Sequence, residues 1–310
     1  MIRPAISAVA LALALLPSLG AGQRVFPGTT RDTALVARLI VLGTGTPVPD
    51  PDRAGAAYAI TYGTRVFLFD AGAGVMRRAA AAGLPIDGMT AVFLTHLHSD
   101  HTLGLPDVIL TTWVMGRSTP MPIFGSPGTA AMVDHLQTAW AEDIQLRTEG
   151  SERGRPGGHR VTVREVTGGI VYDSAGIRIR AIKVPHGDWP VSFAFRIETP
   201  DRVFVLGGDT APSPALEAAA RGADVLVHEV YASRRVAPER RPGGELWPQY
   251  LRAAHTSDEE LGAIAARAQP KQLILSHVLR MGATMDEIVA GVRRGGFGGR
   301  VLVANDLERY

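Results

Sequence analysis

The chain has 310 residues, 46% of them hydrophobic and 20% charged, which excludes a disordered polymer or a long coiled coil and leaves ample length to bury a core. Lys and Arg number 32 against 30 Asp and Glu, a formal charge of +2 that argues against coating nucleic acid by bulk charge. There is no cysteine, so disulfides, thiol catalysis and sulfur-ligated zinc are excluded.

Arg3 precedes an apolar run over 5–16, followed by the small-residue stretch 17–22. That is the pattern of a secretory signal peptide, with cleavage expected after Gly20 or Gly22. The run is shorter than the roughly 20 apolar residues a membrane span needs. Residues 1–22 are therefore expected to direct export, and residues 35–310 to form a single periplasmic or secreted domain without stable membrane association.

From residue 38 onward, short apolar strands alternate with turns and a few helices. Segment 38–42 reads as a strand, and 57–62 with 65–69 as a hairpin ending at Asp70. A helix is expected over 74–82, a buried strand over 91–94, and helices over 103–113 and 129–140. Gly and Arg make 150–160 a loop. Strands are then expected at 161–166, 170–172, 177–184, 191–197, 203–206, 225–227, 273–275 and 301–303. Helices fall at 215–221, 258–268 and 285–292.

The strongest chemical signal is Thr95-His96-Leu97-His98-Ser99-Asp100-His101, four metal-ligand side chains within six positions directly after a buried strand. His186, Asp209 and His277 each follow an apolar strand in the same way. Alone, each would read as a turn or rim residue; their shared place at strand ends lets one sheet edge present them all. Seven nitrogen and oxygen donors are too many for one cation and suit a borderline metal. Two Zn²⁺ ions are expected, with Mn²⁺ or Fe²⁺ as alternatives. The economical partition puts His96, His98 and His186 on one ion, Asp100, His101 and His277 on the other, and Asp209 between them. Two ions roughly 3.5–4 Å apart can hold a hydroxide and stabilise both attacking and departing oxygens.

These residues resemble the metallo-β-lactamase fold through His-x-His-x-Asp-His. They resemble its ribonuclease Z-like branch through Gly208-Asp209-Thr210, His228-Glu229, Ala254-His255-Thr256-Ser257 and Leu275-Ser276-His277, in that order. Residues 42–47, 186–190, 227–231 and 305–310 look most like an exported, arylsulfatase-like subgroup. The resemblance implies an α/β protein, a four-layer αββα sandwich of two mixed β-sheets flanked by helices, with the dinuclear site at one edge. It also implies a catalytic part for Asp100, and for His255 as proton donor to the leaving group with Glu229 orienting it. Asp70, at a strand end, is expected to hold a ligand imidazole. His135 and His159 read as structural or surface residues.

Ribonuclease Z enzymes process tRNA and generally carry a long arm, which in short forms lies between the positions matching His186 and Asp209. Only 23 positions separate those residues here. That spacing, the export signal and the small net charge point away from nucleic acid, although Arg outnumbers Lys thirty to two. The leading expectation is a small, aryl, sulfate or phosphodiester substrate. A tRNA 3′-processing endonuclease is the alternative, with a lactonase or an inactive binding protein behind it. Segment 232–253 is expected to form a lid that includes Tyr250, with Trp247 and Trp189 stacking on an aromatic leaving group. The sequence leaves the oligomeric state open, and a homodimer is compatible with it.

Overall fold

The computed structural model describes residues 35–310; residues 1–34, and with them the expected export signal, lie outside the described residues. Two sheets form. The first comprises β1 (Arg38–Gly43), β2 (Ala57–Tyr62), β3 (Arg65–Phe69), β4 (Met89–Phe93), β5 (Met121–Gly125) and β6 (Val161–Glu165) in that spatial order. β1 to β3 pair antiparallel and β3 to β6 parallel. The second comprises β7 (Gly169–Ser174), β8 (Ile177–His186), β9 (Trp189–Glu198), β10 (Val203–Leu206), β11 (Val225–Tyr231), β12 (Gln272–Leu279) and β13 (Arg300–Val303), again in neighbouring order. β7 to β10 are antiparallel and β10 to β13 parallel.

Side-chain alternation explains why the sheets stack. In β3, Phe67 and Phe69 join the cluster between the sheets, whereas Val66 and Leu68 face the outer layer. In β10, Phe204 and Leu206 point inward and Val205 outward. β11 is buried along its whole length, as a parallel strand covered on both faces must be. Between the sheets, Phe93 stacks on Phe69 at 5.1 Å and meets Phe195 of the opposite sheet at 5.7 Å.

Helices close both outer faces. α1 (Val75–Ala81), the single turn α2 (Ser99–Thr102), α3 (Leu105–Val114), α4 (Thr129–Ala139) and α5 (Ala141–Glu149) follow strands of the first sheet. Val75, Leu105, Val108 and Val133 from this set pack on its outer face. α6 (Pro214–Ala220), α7 (Trp247–Ala254), α8 (Asp258–Ala268) and α9 (Met285–Arg294) belong to the second half. Leu216, Leu261 and Ile288 cover the second sheet. The expected αββα sandwich of two mixed sheets is the observed architecture. Among the described residues, no helix is long and apolar enough to cross a membrane.

Besides the single turn α2, sequence reading missed two helices. α5 follows directly on Trp140 (φ −106°, ψ 18°), which interrupts the helical run without the Gly or Pro that usually punctuates such a break. α7 sits in the segment expected to be a lid. Its first turn carries a proline, which is tolerated there because the N–H it removes would be unsatisfied anyway.

Topology fixes where the site lies. β3 and β4 run parallel in one sheet; in the other, β10 to β12 are parallel and β8 runs the same way through two antiparallel steps. Asp70, His96, His186 and Asp209 accordingly lie at or beyond the carboxyl ends of strands, and His277 lies just before the end of β12, on the same edge.

Candidate metal centre

Leu94 follows β4, and the backbone then leaves the sheet through Thr95 to His98 before entering α2. The His96 and His98 rings lie 4.7 Å apart, with His96 Nε2 2.9 Å from His98 Nδ1. His186, the last residue of β8, brings its Nε2 to 3.1 Å from His98 Nδ1. On the far side, His277 Nε2 is 3.1 Å from Asp100 Oδ2, and His101 Nε2 is 3.6 Å from the same oxygen. His277 owes its direction to a bulge: one residue of β11 between His228 and Val230 faces two of β12, and His277 (φ +51°) is one of those two. Asp209 Oδ1 lies 3.5 Å from His101 Nε2 and 3.6 Å from His277 Nδ1.

Two groups could each hold a metal ion, His96 with His98, His186 and Asp209, and Asp100 with His101 and His277. The structure tests that fit through its unpaired atoms. His101 Nε2, Asp209 Oδ1 and His277 Nδ1 are buried, find no hydrogen-bond partner in the protein, and converge on one point. Two ligands about 2.1 Å from one tetrahedral cation stand roughly 3.4 Å apart, which is the spacing seen here. A buried polar atom left unpaired costs free energy of about 1–3 kcal/mol, so three converging on one point call for a cation.

Outer partners turn the ligand nitrogens inward. Asp70 Oδ2 accepts from His101 Nδ1 at 2.8 Å, and its carboxylate also takes the Thr95 backbone N–H at 2.8 Å. Thr95 Oγ1 donates to Asp70 and accepts from His96 Nδ1 at 2.9 Å. His186 Nδ1 donates to the Ala254 carbonyl at 2.7 Å, at the end of α7. Each of these imidazoles thereby turns Nε2 toward the centre, as metal-ligating histidines generally do. Gly208 makes the approach possible. It adopts φ +58°, and a Cβ there would lie 2.8 Å from the Phe193 carbonyl and 2.9 Å from Thr95 Cγ2.

Charge is divided across the centre. Burial and the surrounding imidazoles hold His96 well below the usual histidine range and push His98 down to about 4. Burial also lowers His186. Burial opposes protonation of His101 too, but Asp209 and Asp70 outweigh it and raise that ring well above the ordinary value. Asp209 is itself held well below the carboxylate range against its burial by His277 and His101. One half offers neutral donors, the other a carboxylate-rich cradle.

His255 lies between α7 and α8 and is 4% exposed. Its Nδ1 is 3.0 Å from Glu229 Oε1, and its ring centroid 5.1 Å from that of His186. Burial works against its charged form, but Glu229 raises it to about 9. The same Glu229 oxygen accepts from the backbone N–H groups of Thr210 (3.2 Å) and Thr256 (3.3 Å). A single buried carboxylate thus ties the turn after Asp209 to the link carrying His255.

A cleft of about 720 Å³ opens over the centre, lined by His98, Asp100, Asp209, His255 and His277 together with Trp247 and Tyr250. Pro47 and Val48 also line it; sequence reading noted Pro47 only as part of a resemblance and did not single out Val48. Their signal was weak, a Pro-rich turn after a strand. Trp189 sits elsewhere than expected. Its indole stands edge-on to His98, Nε1 2.6 Å from Nε2, and it is not among the residues lining the cleft. Trp247 pairs instead with Tyr250, ring centroids 5.2 Å apart and planes at 19°. His135 bonds the Ala131 carbonyl within α4, and His159 packs edge-on to Trp113 at 5.2 Å, both outside the centre.

Residues 65–278 match the family profile described as a beta-lactamase superfamily domain. The chain belongs to this superfamily, with the metallo-β-lactamase fold. It is 38% identical over 278 residues to a protein named Ribonuclease Z from Mycobacterium marinum, an alignment covering 87% of this chain and 97% of the relative. Among solved structures, the metallo-beta-lactamase fold protein YhfI from Bacillus subtilis superposes with a TM-score of 0.67 at 19% identity, over 88% of this chain and 98% of that one. The human tRNase Z, short form, gives 0.65 at 19%, with the same coverages. These last two likenesses show the fold. The ribonuclease Z-like resemblance read from the motifs is thereby established, and the superfamily member carries His/Asp groups suited to metal.

Two expectations are corrected by the same relatives. The reading of a small, aryl, sulfate or phosphodiester substrate is overturned, because a protein matched over nearly its whole length bears the name Ribonuclease Z. The setting aside of nucleic acid as partner falls with it. Its physical grounds were weak. The alignment spans 278 residues and 87% of a 310-residue chain, which leaves little room for an arm of tens of residues in the matched part of that relative. The short connection between His186 and Asp209 therefore does not separate this chain from proteins of that name. Net charge averages over the surface and says little about one cleft.

Proposed function

We propose that the protein is a metal-dependent phosphodiesterase of ribonuclease Z type, cleaving RNA that carries a 3′ extension beyond a tRNA-like fold. The observation that carries this reading is the 38% identity spread over nearly the whole of a relative named Ribonuclease Z. His96, His98, His186 and Asp209 would hold one divalent cation, and Asp100, His101 and His277 with Asp209 a second, zinc being well suited to such donors. Bound there, the cations would supply Lewis acidity at the phosphoryl oxygens and lower the pKa of water.

The remaining tasks fall to the chain. His255 is tied through Nδ1 to Glu229, so Nε2 is the nitrogen left for the cleft, where it can give a proton to the oxygen departing from phosphorus. Glu229 fixes that ring and the Asp209 turn in one register, so the donor and the ligands move together. Asp70 and Thr95 keep His96 and His101 turned inward.

A precursor tRNA with a 3′ trailer, incubated with metal-analysed protein, tests the reading. Release of the trailer by one endonucleolytic cut supports it. Turnover of an aryl phosphodiester with no cleavage of this or any other structured RNA would overturn it. We also propose that residues 1–22 direct export, on the strength of their charge and hydropathy pattern. Fusion of residues 1–34 to a reporter checks this, and a reporter retained in the cytosol refutes it.

A further inference from the structure

The cleft is far larger than a phosphoryl group requires, and its walls differ in kind. Pro47 and Val48 line it together with Trp247 and Tyr250 of α7, and with Arg241. Trp247 and Tyr250, three residues apart, share one face of that helix, and their rings run nearly parallel at 5.2 Å. Neither is needed to anchor the helix, because Leu251 and Ala254 are its buried residues. Trp247 and Tyr250 are only half-buried, an unusual way to leave two large rings beside a polar centre. The Arg241 guanidinium lies 5.6 Å from the Trp247 ring centroid, a cation over the outer ring.

The pair has a direction. Tyr250 stands edge-on to His255 at 5.5 Å, so the aromatic surface begins beside the proton donor and runs outward to Trp247. Whatever oxygen His255 protonates leaves phosphorus, and the nucleoside attached to that oxygen departs along this surface. We propose that Trp247 and Tyr250, with Arg241 at the outer edge, form a stacking shelf for the base of the leaving nucleoside. This rests on the RNA-cleaving reading above and assigns the leaving side of the scissile bond its own wall. Every base presents a π-face, so the shelf selects for the presence of a base rather than its identity, and Arg241, ion-paired with Glu239, closes its outer edge.

The test pairs protein and substrate changes. A cleavable RNA is prepared intact, and with an abasic nucleotide on either side of the scissile bond. Trp247→Ala should raise KM for intact RNA roughly ten- to a hundredfold, the range expected from losing one stacked base. The leaving-side abasic RNA should weaken the wild type by a similar factor. Combining the two should cost little more than either alone, whereas the abasic nucleotide on the other side should multiply with Trp247→Ala. Trp247→Phe should restore most of the loss. Trp247→Leu, apolar but without a π-face, replaces the alanine variant if that one fails to fold or to retain metal. If the losses multiply on the leaving side, the shelf is overturned while RNA cleavage stands. If the wild type cleaves no RNA, the functional reading is overturned and the shelf with it.

Discussion

Glu229 shows how one side chain can govern a site it does not enter. Its Oε1 receives three donors, from His255, Thr210 and Thr256, at 3.0, 3.2 and 3.3 Å. Removing His255 alone leaves the cation cradles intact, since its bond to Glu229 is no part of them. His255→Ala should therefore retain two equivalents of metal and lose turnover about 10²–10⁴-fold, more for poorly acidic leaving groups than for p-nitrophenol. Equal losses on the two leaving groups would remove the proton-donor role. Asp209 and His98 behave differently, because each contributes a donor atom to the clustered groups. Asp209→Ala or His98→Ala should lower metal content and turnover together, measured by elemental analysis beside activity. The donor residues were legible from their side-chain chemistry. Glu229 and His255 were legible only through their resemblance to known motifs, because Glu229 in a buried strand reads equally well as packing and His255, beside Thr256 and Ser257, as a neighbour of a helix N-cap.

At the scale of elements, the strand ends carried most of the information. Apolar runs at 203–206 and 273–275 ended where ligands followed, and parallel neighbours turned those ends into one edge. What local patterning could not give was the length of β12, which runs on to Leu279 through the bulge that turns His277 toward the cations. Such a bulge is a two-strand property, invisible in one strand. Helix capping gives a prediction remote from the centre. Thr284 Oγ1 accepts the Glu287 backbone N–H at 3.2 Å at the start of α9. Thr284→Ala should cost about 1 kcal/mol in denaturant unfolding while leaving kcat unchanged. Loss of activity in proportion to that destabilisation would mean that α9 supports the site after all.

Across the whole molecule, the two sheets close on a shared aromatic core and the C-terminal segment returns to the first strand. Leu39 and Tyr310 exchange backbone hydrogen bonds at 3.0 and 2.9 Å, and Asp306 accepts from Thr44 and Ala54. Tyr58 donates to Ser276 at 2.7 Å, linking the sheets close to the centre. Ligands come from both halves, so metal binding and folding are coupled. Chelation should lower Tm by several degrees and readdition of Zn²⁺ should restore it, followed by calorimetry; an unchanged Tm would mean the cradles bind metal without stabilising the fold.

The amino-acid sequence by itself determined the donor chemistry and the strand-end placement of the ligands, because side-chain type and apolar runs act within a few residues; the layered architecture came only with the resemblance that its motifs carry. Only the tertiary structure decided which nitrogen of each ligand faces inward, which carboxylate spans Asp209 and His255, and which aromatic rings wall the cleft. Those outcomes depend on atoms brought together from chain positions as distant as Asp100 and His277. No local rule reaches across such a separation; packing does.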